Sequence, residues 1–206
     1  MLQLLYAPTS PYARKVMACA HLCGIVDRIR LLDSAAHPVK RDPRITSHNP
    51  LGKVPTMILP DGAALYDSRV ICEYIADQGG NDHLFPPSGA GRWLALTRQA
   101  LGDGLLDAAL LARYERVARP AESQSEQWRA AQLAKVEASL QEIEAQAGTL
   151  ATERPSIGEV TLGCALGYLD FRFPELDWRA AQPGAARWFE TFSRLPAMQA
   201  TAPREA

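Results

Sequence analysis

A basic excess is missing from this chain: 22 Lys and Arg stand against 23 Asp and Glu in 206 residues, a formal charge of −1. Nucleic-acid binding ordinarily shows a strong basic surplus, so that partner class is set aside. The densest basic run, Arg113, Arg116 and Arg119, recurs at helical spacing and is expected to be a solvated helix face. Cysteine and histidine are sparse. Cys19, Cys23, Cys72 and Cys164 form no C-x-x-C, and His21, His37, His48 and His83 form no H-x-x-x-H, so no metal site is expected. Buried, reduced cysteines in a reducing compartment are the expectation. No apolar run approaches about 18 residues, and Met1 to Val16 lacks a basic stretch followed by an apolar one. Neither a membrane span nor a secretion signal is expected, which points to the cytoplasm.

What is present is globular. Apolar residues make up 47% and charged residues 22%, a balance that excludes a disordered chain or a coiled coil. The length suits one domain or two small ones. Leu2 to Tyr6 is a short apolar strand candidate, and Thr9-Ser10-Pro11 is a helix start with a hydroxyl cap and an early proline. Val16, Cys19, Ala20 and Cys23 then form one apolar helical stripe, which Gly24 ends. Arg28 to Leu31 alternates as a half-buried strand does, and residues 33–50 suit a loop with an irregular helix. Thr56 to Leu59, the turn Pro60-Asp61-Gly62 and Ala64 to Tyr66 form a hairpin; Asp67-Ser68 caps a further helix running to Gln78. The order β-α-β, loop, β-β-α implies a small α/β domain with a parallel pair and an antiparallel edge.

Beyond the Gly/Pro-rich linker the strand signals vanish. The expected boundaries are 1–80 for the α/β domain, 81–91 for the linker and 92–206 for an all-helical domain. Helices are expected over 92–118, 124–147, 157–172 and 184–194. The second opens with Ser123-x-x-Glu126 and the third with Ser156-x-x-Glu159, both with capping-box spacing. Apolar nearly all round, the third should be the buried central helix.

This arrangement resembles the glutathione S-transferase superfamily over essentially the whole chain. Its most specific element is Asn49-Pro50-Leu51-Gly52-Lys53-Val54-Pro55, followed by the hairpin and Asp67-Ser68. A second is Thr9 to Val16, which is similar to the serine-type bacterial members, and a third is the Ser156–Glu159 capping box. The resemblance implies a thioredoxin-like N-terminal domain followed by a helical-bundle C-terminal domain, with glutathione as co-substrate and no metal. It implies a cis peptide before Pro55, a Val54 backbone that meets the cysteinyl part of glutathione beside Lys53, and an Asp67–Ser68 pair gripping the γ-glutamyl end. Asp67 also suits a plain N-cap, and the two roles are compatible, because the free N–H groups of a helix start attract a carboxylate.

Ser10 is the expected catalytic residue, with Thr9 and Tyr6 as rivals; Ser10 or Thr9 also suits a purely capping role. A free cysteine thiol has a pKa of about 8.5. Lowering it by about two units needs about 2.7 kcal/mol in favour of the thiolate. A hydroxyl hydrogen bond to an anion supplies about 1.5–3 kcal/mol, and a helix N-terminus about 0.3–1. Without cysteine at position 10, a disulfide-forming mechanism lacks its nucleophile. The second substrate, a small electrophile, is expected over the thiol and against the helical domain, with Leu106, Leu110, Tyr114, Tyr168 and Phe171 as candidates. The resemblance further implies a homodimer and detoxification by conjugation. Asp103 is then either placed to approach the partner's glutathione site or a solvated helix carboxylate. Isomerisation, dehalogenation, peroxide reduction and non-catalytic binding are the alternatives on the same scaffold.

Overall fold

In the computed structural model residues 1–34 and 36–205 are described; Ala35, inside the expected 33–50 loop, and Ala206 lie outside them. The chain divides into two compact units, one of Met1–Pro87 with Pro196–Ala206 and one of Ser88–Leu195. The sequence expectation grouped residues 196–206 with the helices before them; the described part, 196–205, packs instead with the first unit.

The first unit contains β1 (Leu2–Tyr6), α1 (Pro11–Leu22), β2 (Ile29–Asp33), α2 (Pro43–Thr46), β3 (Thr56–Ile58), β4 (Ala64–Leu65) and α3 (Ser68–Gly79). The sheet order is β2-β1-β3-β4: β2 runs parallel to β1, while β3 pairs antiparallel with both β1 and β4. Strand alternation sorts the core. Leu5 and Ile58 cluster with Ile45 of α2, flanked by Leu32 and Val54. Leu4 and Met57, paired across the ladder and both fully buried, serve the opposite face. Helices α1 and α3 pack together so closely that a Cβ on Gly79 would stand 2.6 Å from the Cys23 Cβ. Cys19 and Cys72 are buried, and Cys23, at the end of α1, is half-buried.

The returning segment carries α9 (Pro196–Ala200), which packs on α1. Arg14, 6% exposed, donates from its guanidinium to the Met198 carbonyl at 3.3 Å. Thr201 turns its hydroxyl onto the Ala197 carbonyl at 2.8 Å, closing that short helix.

The second unit is helical: α4 (Gly89–Val117), α5 (Glu126–Gln146), α6 (Ile157–Arg172), α7 (Trp178–Ala181) and α8 (Pro183–Phe192). Every residue of α6 from Ile157 to Leu169 is buried, as its all-round apolar pattern requires. Glycines set the close approach to α4: a Cβ on Gly158 would meet the Arg98 Cβ at 2.6 Å, and one on Gly102 the Thr161 methyl at 2.8 Å. The Ser156–Glu159 capping box forms in full. The Glu159 carboxylate accepts from Ser156 N–H at 2.9 Å and pairs with the buried Arg98 at 2.6 Å. Arg98 also donates to Gln146 at 2.9 Å and to the Thr149 hydroxyl at 2.7 Å.

The other expected capping box does not form. Ser123 lies in a 3-10 turn, and Ser125 caps α5 by accepting from Trp128 N–H at 3.2 Å. Glu115 decides this, because its carboxylate takes the Ser125 N–H at 2.7 Å and fixes where the chain enters the helix. No helix among the described residues is long and apolar enough to cross a membrane.

Candidate functional site

The candidate residues of the first unit converge because of strand direction. Chain leaving β1 reaches Thr9 and Ser10 at that strand's C-terminal end. β3 is antiparallel to β1, with Leu5 opposite Thr56, so Val54-Pro55 enters at the same end. β4 is antiparallel to β3, with Met57 opposite Leu65, so its exit into Asp67-Ser68 comes out there too. Three segments far apart in sequence thus share one end of the sheet, and two of them start helices.

Ser10 caps α1. Its oxygen accepts from Ala13 N–H at 3.2 Å, its own N–H donates to the Ala7 carbonyl at 3.0 Å, and Pro11 follows in the first turn. The accepted bond uses one lone pair, so the hydroxyl proton remains available to donate. Ser10 and Thr9 are both half-buried. Tyr6, at the end of β1, has its phenol pKa raised by burial, against the lowering influence of Arg204 and Arg14. It therefore stays protonated at neutral pH.

The Val54–Pro55 bond is cis, as the resemblance implies. Val54 stands just beyond the last pair of the β1–β3 ladder, so its backbone faces the open end of the sheet. Asn49 holds this loop. Buried at its base, it donates to the Lys53 carbonyl at 3.2 Å and to the Thr56 hydroxyl at 2.9 Å, while its own oxygen accepts from Leu51 N–H at 2.9 Å. The sequence motif contained Asn49 but assigned it no role; the Asn-Pro turn signature was the available signal. Gly52, at φ +65°, makes the turn that follows. Lys53 itself is exposed.

Asp67 is exposed and caps α3, accepting from Arg69 N–H at 2.9 Å. Ser68, the first residue of that helix, is buried. A shallow cleft of about 540 Å³ elsewhere in this unit is lined by Arg30, Asp33, Arg44, Ser47 and His48 among others, and none of the candidate residues lines it.

The candidates in the second unit separate by burial. Leu106 and Tyr168, 0% and 4% exposed, are core rather than wall. Leu110, Tyr114 and Phe171 are half-exposed and remain accessible to a ligand. Asp103 is 1% exposed on α4, so it is no solvated carboxylate, and its burial does not suit a reach into a second subunit. The basic run also divides. Arg116 and Arg119 are exposed and pair with Glu126 at 2.7 Å and Glu115 at 3.5 Å, whereas Arg113 is half-buried.

Comparison with known proteins matches the same two regions. Residues 9–78 match the family description "Glutathione S-transferase, N-terminal domain" and residues 126–191 its C-terminal counterpart. An uncharacterized GST-like protein of Escherichia coli K12, YibF, is 32% identical over 196 residues, covering 94% of this chain and 95% of that protein. A glutathione transferase family member from Pseudomonas fluorescens Pf-5, solved with bound glutathione, is 42% identical with a TM-score of 0.96, covering 99% of this chain and all of the other. A family member from the same organism solved with bound S-(propanoic acid)-glutathione is 41% identical with a TM-score of 0.91, covering 99% of this chain and 100% of that one. Identity sustained from end to end, on a fold that superposes throughout, makes this chain a member of the glutathione S-transferase superfamily.

Proposed function

We propose that this protein binds glutathione at the end of the sheet formed by Ser10, Val54-Pro55 and Asp67-Ser68, and transfers its thiolate to a small electrophile. The convergence of those three segments at one end of the strands carries the reading, and the Pseudomonas relatives, with glutathione and a glutathione thioether bound, support it. The Val54 backbone, just ahead of β3, pairs with the peptide as an added strand would. The Asp67 carboxylate meets the ligand's ammonium, and the N-terminus of α3, opening at Ser68, meets its carboxylate. The Ser10 hydroxyl donates to the sulfur. The thiolate then forms the new bond to carbon as the leaving group departs with its electron pair, or as a conjugated double bond opens and takes up a proton. No metal or general base is needed for the ionisation.

Asp67→Ala should weaken glutathione binding by about 2 kcal/mol, roughly 30-fold, through the lost charged contact. It also loses a cap worth about 1 kcal/mol of stability. Asp67→Asn separates these effects, because asparagine caps as well but carries no charge. Calorimetric titration of Asp67→Asn should show weakened binding at an unchanged melting temperature. Wild-type affinity in both variants would leave Asp67 as a helix cap alone.

The proposal includes a homodimer. Trp93 and Leu94 on α4 are 66% and 50% exposed, apolar area that a second subunit would cover. Light scattering at micromolar concentration should give the mass of two chains. A one-chain mass would overturn this.

A further inference from the structure

Asn49 and Thr56 are 1% and 0% exposed, and burying two polar side chains costs stability unless each group is answered. They answer each other. The Asn49 side-chain nitrogen donates to the Thr56 hydroxyl at 2.9 Å and to the Lys53 carbonyl at 3.2 Å. The Thr56 hydroxyl donates to that same carbonyl at 2.8 Å. Leu51 N–H can only donate, and it meets the Asn49 side-chain oxygen at 2.9 Å, which fixes the direction of the amide. Both residues are tied to the framework. Asn49 N–H donates at 2.8 Å to the carbonyl of Ile45, a core residue, and Thr56 opens β3 opposite Leu5.

The Lys53 carbonyl is thus held inward by two donors. The Lys53–Val54 bond is trans, since the cis bonds among the described residues are Val54–Pro55 and Tyr66–Asp67. In a planar trans peptide the C=O and the N–H point in opposite directions. Holding the Lys53 carbonyl inward therefore turns the Val54 N–H outward. Neither that N–H nor the Val54 carbonyl bonds to any described residue. Pro55 brings no N–H that could compete for a ligand. We infer that Asn49 and Thr56 are positioning residues for glutathione, which aim the Val54 N–H at the ligand's cysteinyl carbonyl while too buried to touch the ligand themselves. This rests on the glutathione reading above and names the residues that set its central backbone contact in advance. Without them the loop would have to be ordered at each binding event, at a cost in affinity.

The test titrates the full chain with glutathione and with γ-glutamyl-2-aminobutyryl-glycine, which keeps the peptide but lacks the sulfur. Thr56→Val keeps the shape and removes the hydroxyl; it should weaken both ligands by the same factor, roughly 3- to 10-fold. Thr56→Ser keeps the hydroxyl and should recover most of that loss. In wild type, the Val54 amide should exchange freely with solvent in the unliganded protein and become protected once either peptide saturates it. A packing role alone predicts a lower melting temperature for Thr56→Val at unchanged affinity. That result, failure of Thr56→Ser to recover affinity, or a Val54 amide already protected in the unliganded protein would overturn the assignment. The exchange measurement needs no variant, so it decides the geometry even where Thr56→Val folds poorly. Absence of glutathione binding to wild type would instead bring down the underlying reading, and the assignment with it.

Discussion

Ser10→Ala is expected to slow conjugation by roughly 10- to 100-fold at neutral pH, with glutathione affinity changing far less. The size follows from one hydrogen bond to an anion, about 1.5–3 kcal/mol, which is about one to two pKa units on the bound thiol. The direction with pH follows as well. Removing the donor raises the thiol pKa, so the deficit is full below the wild-type pKa and shrinks as pH rises through the mutant's. Val54, Asp67 and Ser68 still hold the peptide. Ala13 N–H loses its acceptor in the same variant, which costs about 1 kcal/mol of stability at every pH. Ser10→Gly distinguishes the roles, since glycine at an N-cap costs only a few tenths of a kcal/mol while removing the hydroxyl. Ultraviolet titration of bound thiolate should therefore show the same raised midpoint in both variants. Midpoints equal to the wild type would assign Ser10 to capping and move attention to Thr9.

Glu159→Ala should be the most damaging single change to stability, about 3–5 kcal/mol. The carboxylate it removes answers Ser156 N–H, the Ser156 hydroxyl at 2.6 Å and Arg98 at 2.6 Å, all at the base of a helix buried from Ile157 to Leu169. Its loss leaves the Arg98 charge buried without a counter-ion, a far larger cost than an exposed pair carries. For a chain this long the melting temperature should fall by about 6–20 °C. The double variant Arg98→Met with Glu159→Leu should recover much of the loss, because no unpaired charge remains. A Glu159→Ala protein within about 1 kcal/mol of wild type, measured by denaturant unfolding, would contradict this account.

Local chemistry made part of this molecule legible in advance. Ser10, Asp67 and the Ser156–Glu159 pair act within four residues of themselves, so spacing alone reveals them. The hairpin after Pro55 announces itself by its turn residues in the same way. What escaped depends on which face of a helix meets which neighbour. Helix α4 carries apolar residues round much of its circumference, so nothing in the periodicity says that Asp103 and Leu106 point inward while Leu110 stays half-exposed. Ser123 had the right spacing for a capping box, and Glu115, ten residues before Ser125, overruled it. Arg113 is indistinguishable from Arg116 and Arg119 in the sequence; the packing of α4 on α6 separates them.

The bond from Arg14 to the Met198 carbonyl spans 184 residues of chain, and the whole helical unit is written between its two ends. A ribosome delivers Arg14 early and its acceptor late. The sheet and α1 must wait in an incomplete state, with α9 still unmade, while the helical unit emerges and can close on contacts of its own. That inverts the usual order in which the N-terminal unit finishes first. In a pulse-labelling experiment, amides of α1 should gain protection from exchange after those of α6, and removing residues 196–205 should leave α6 protected while α1 opens.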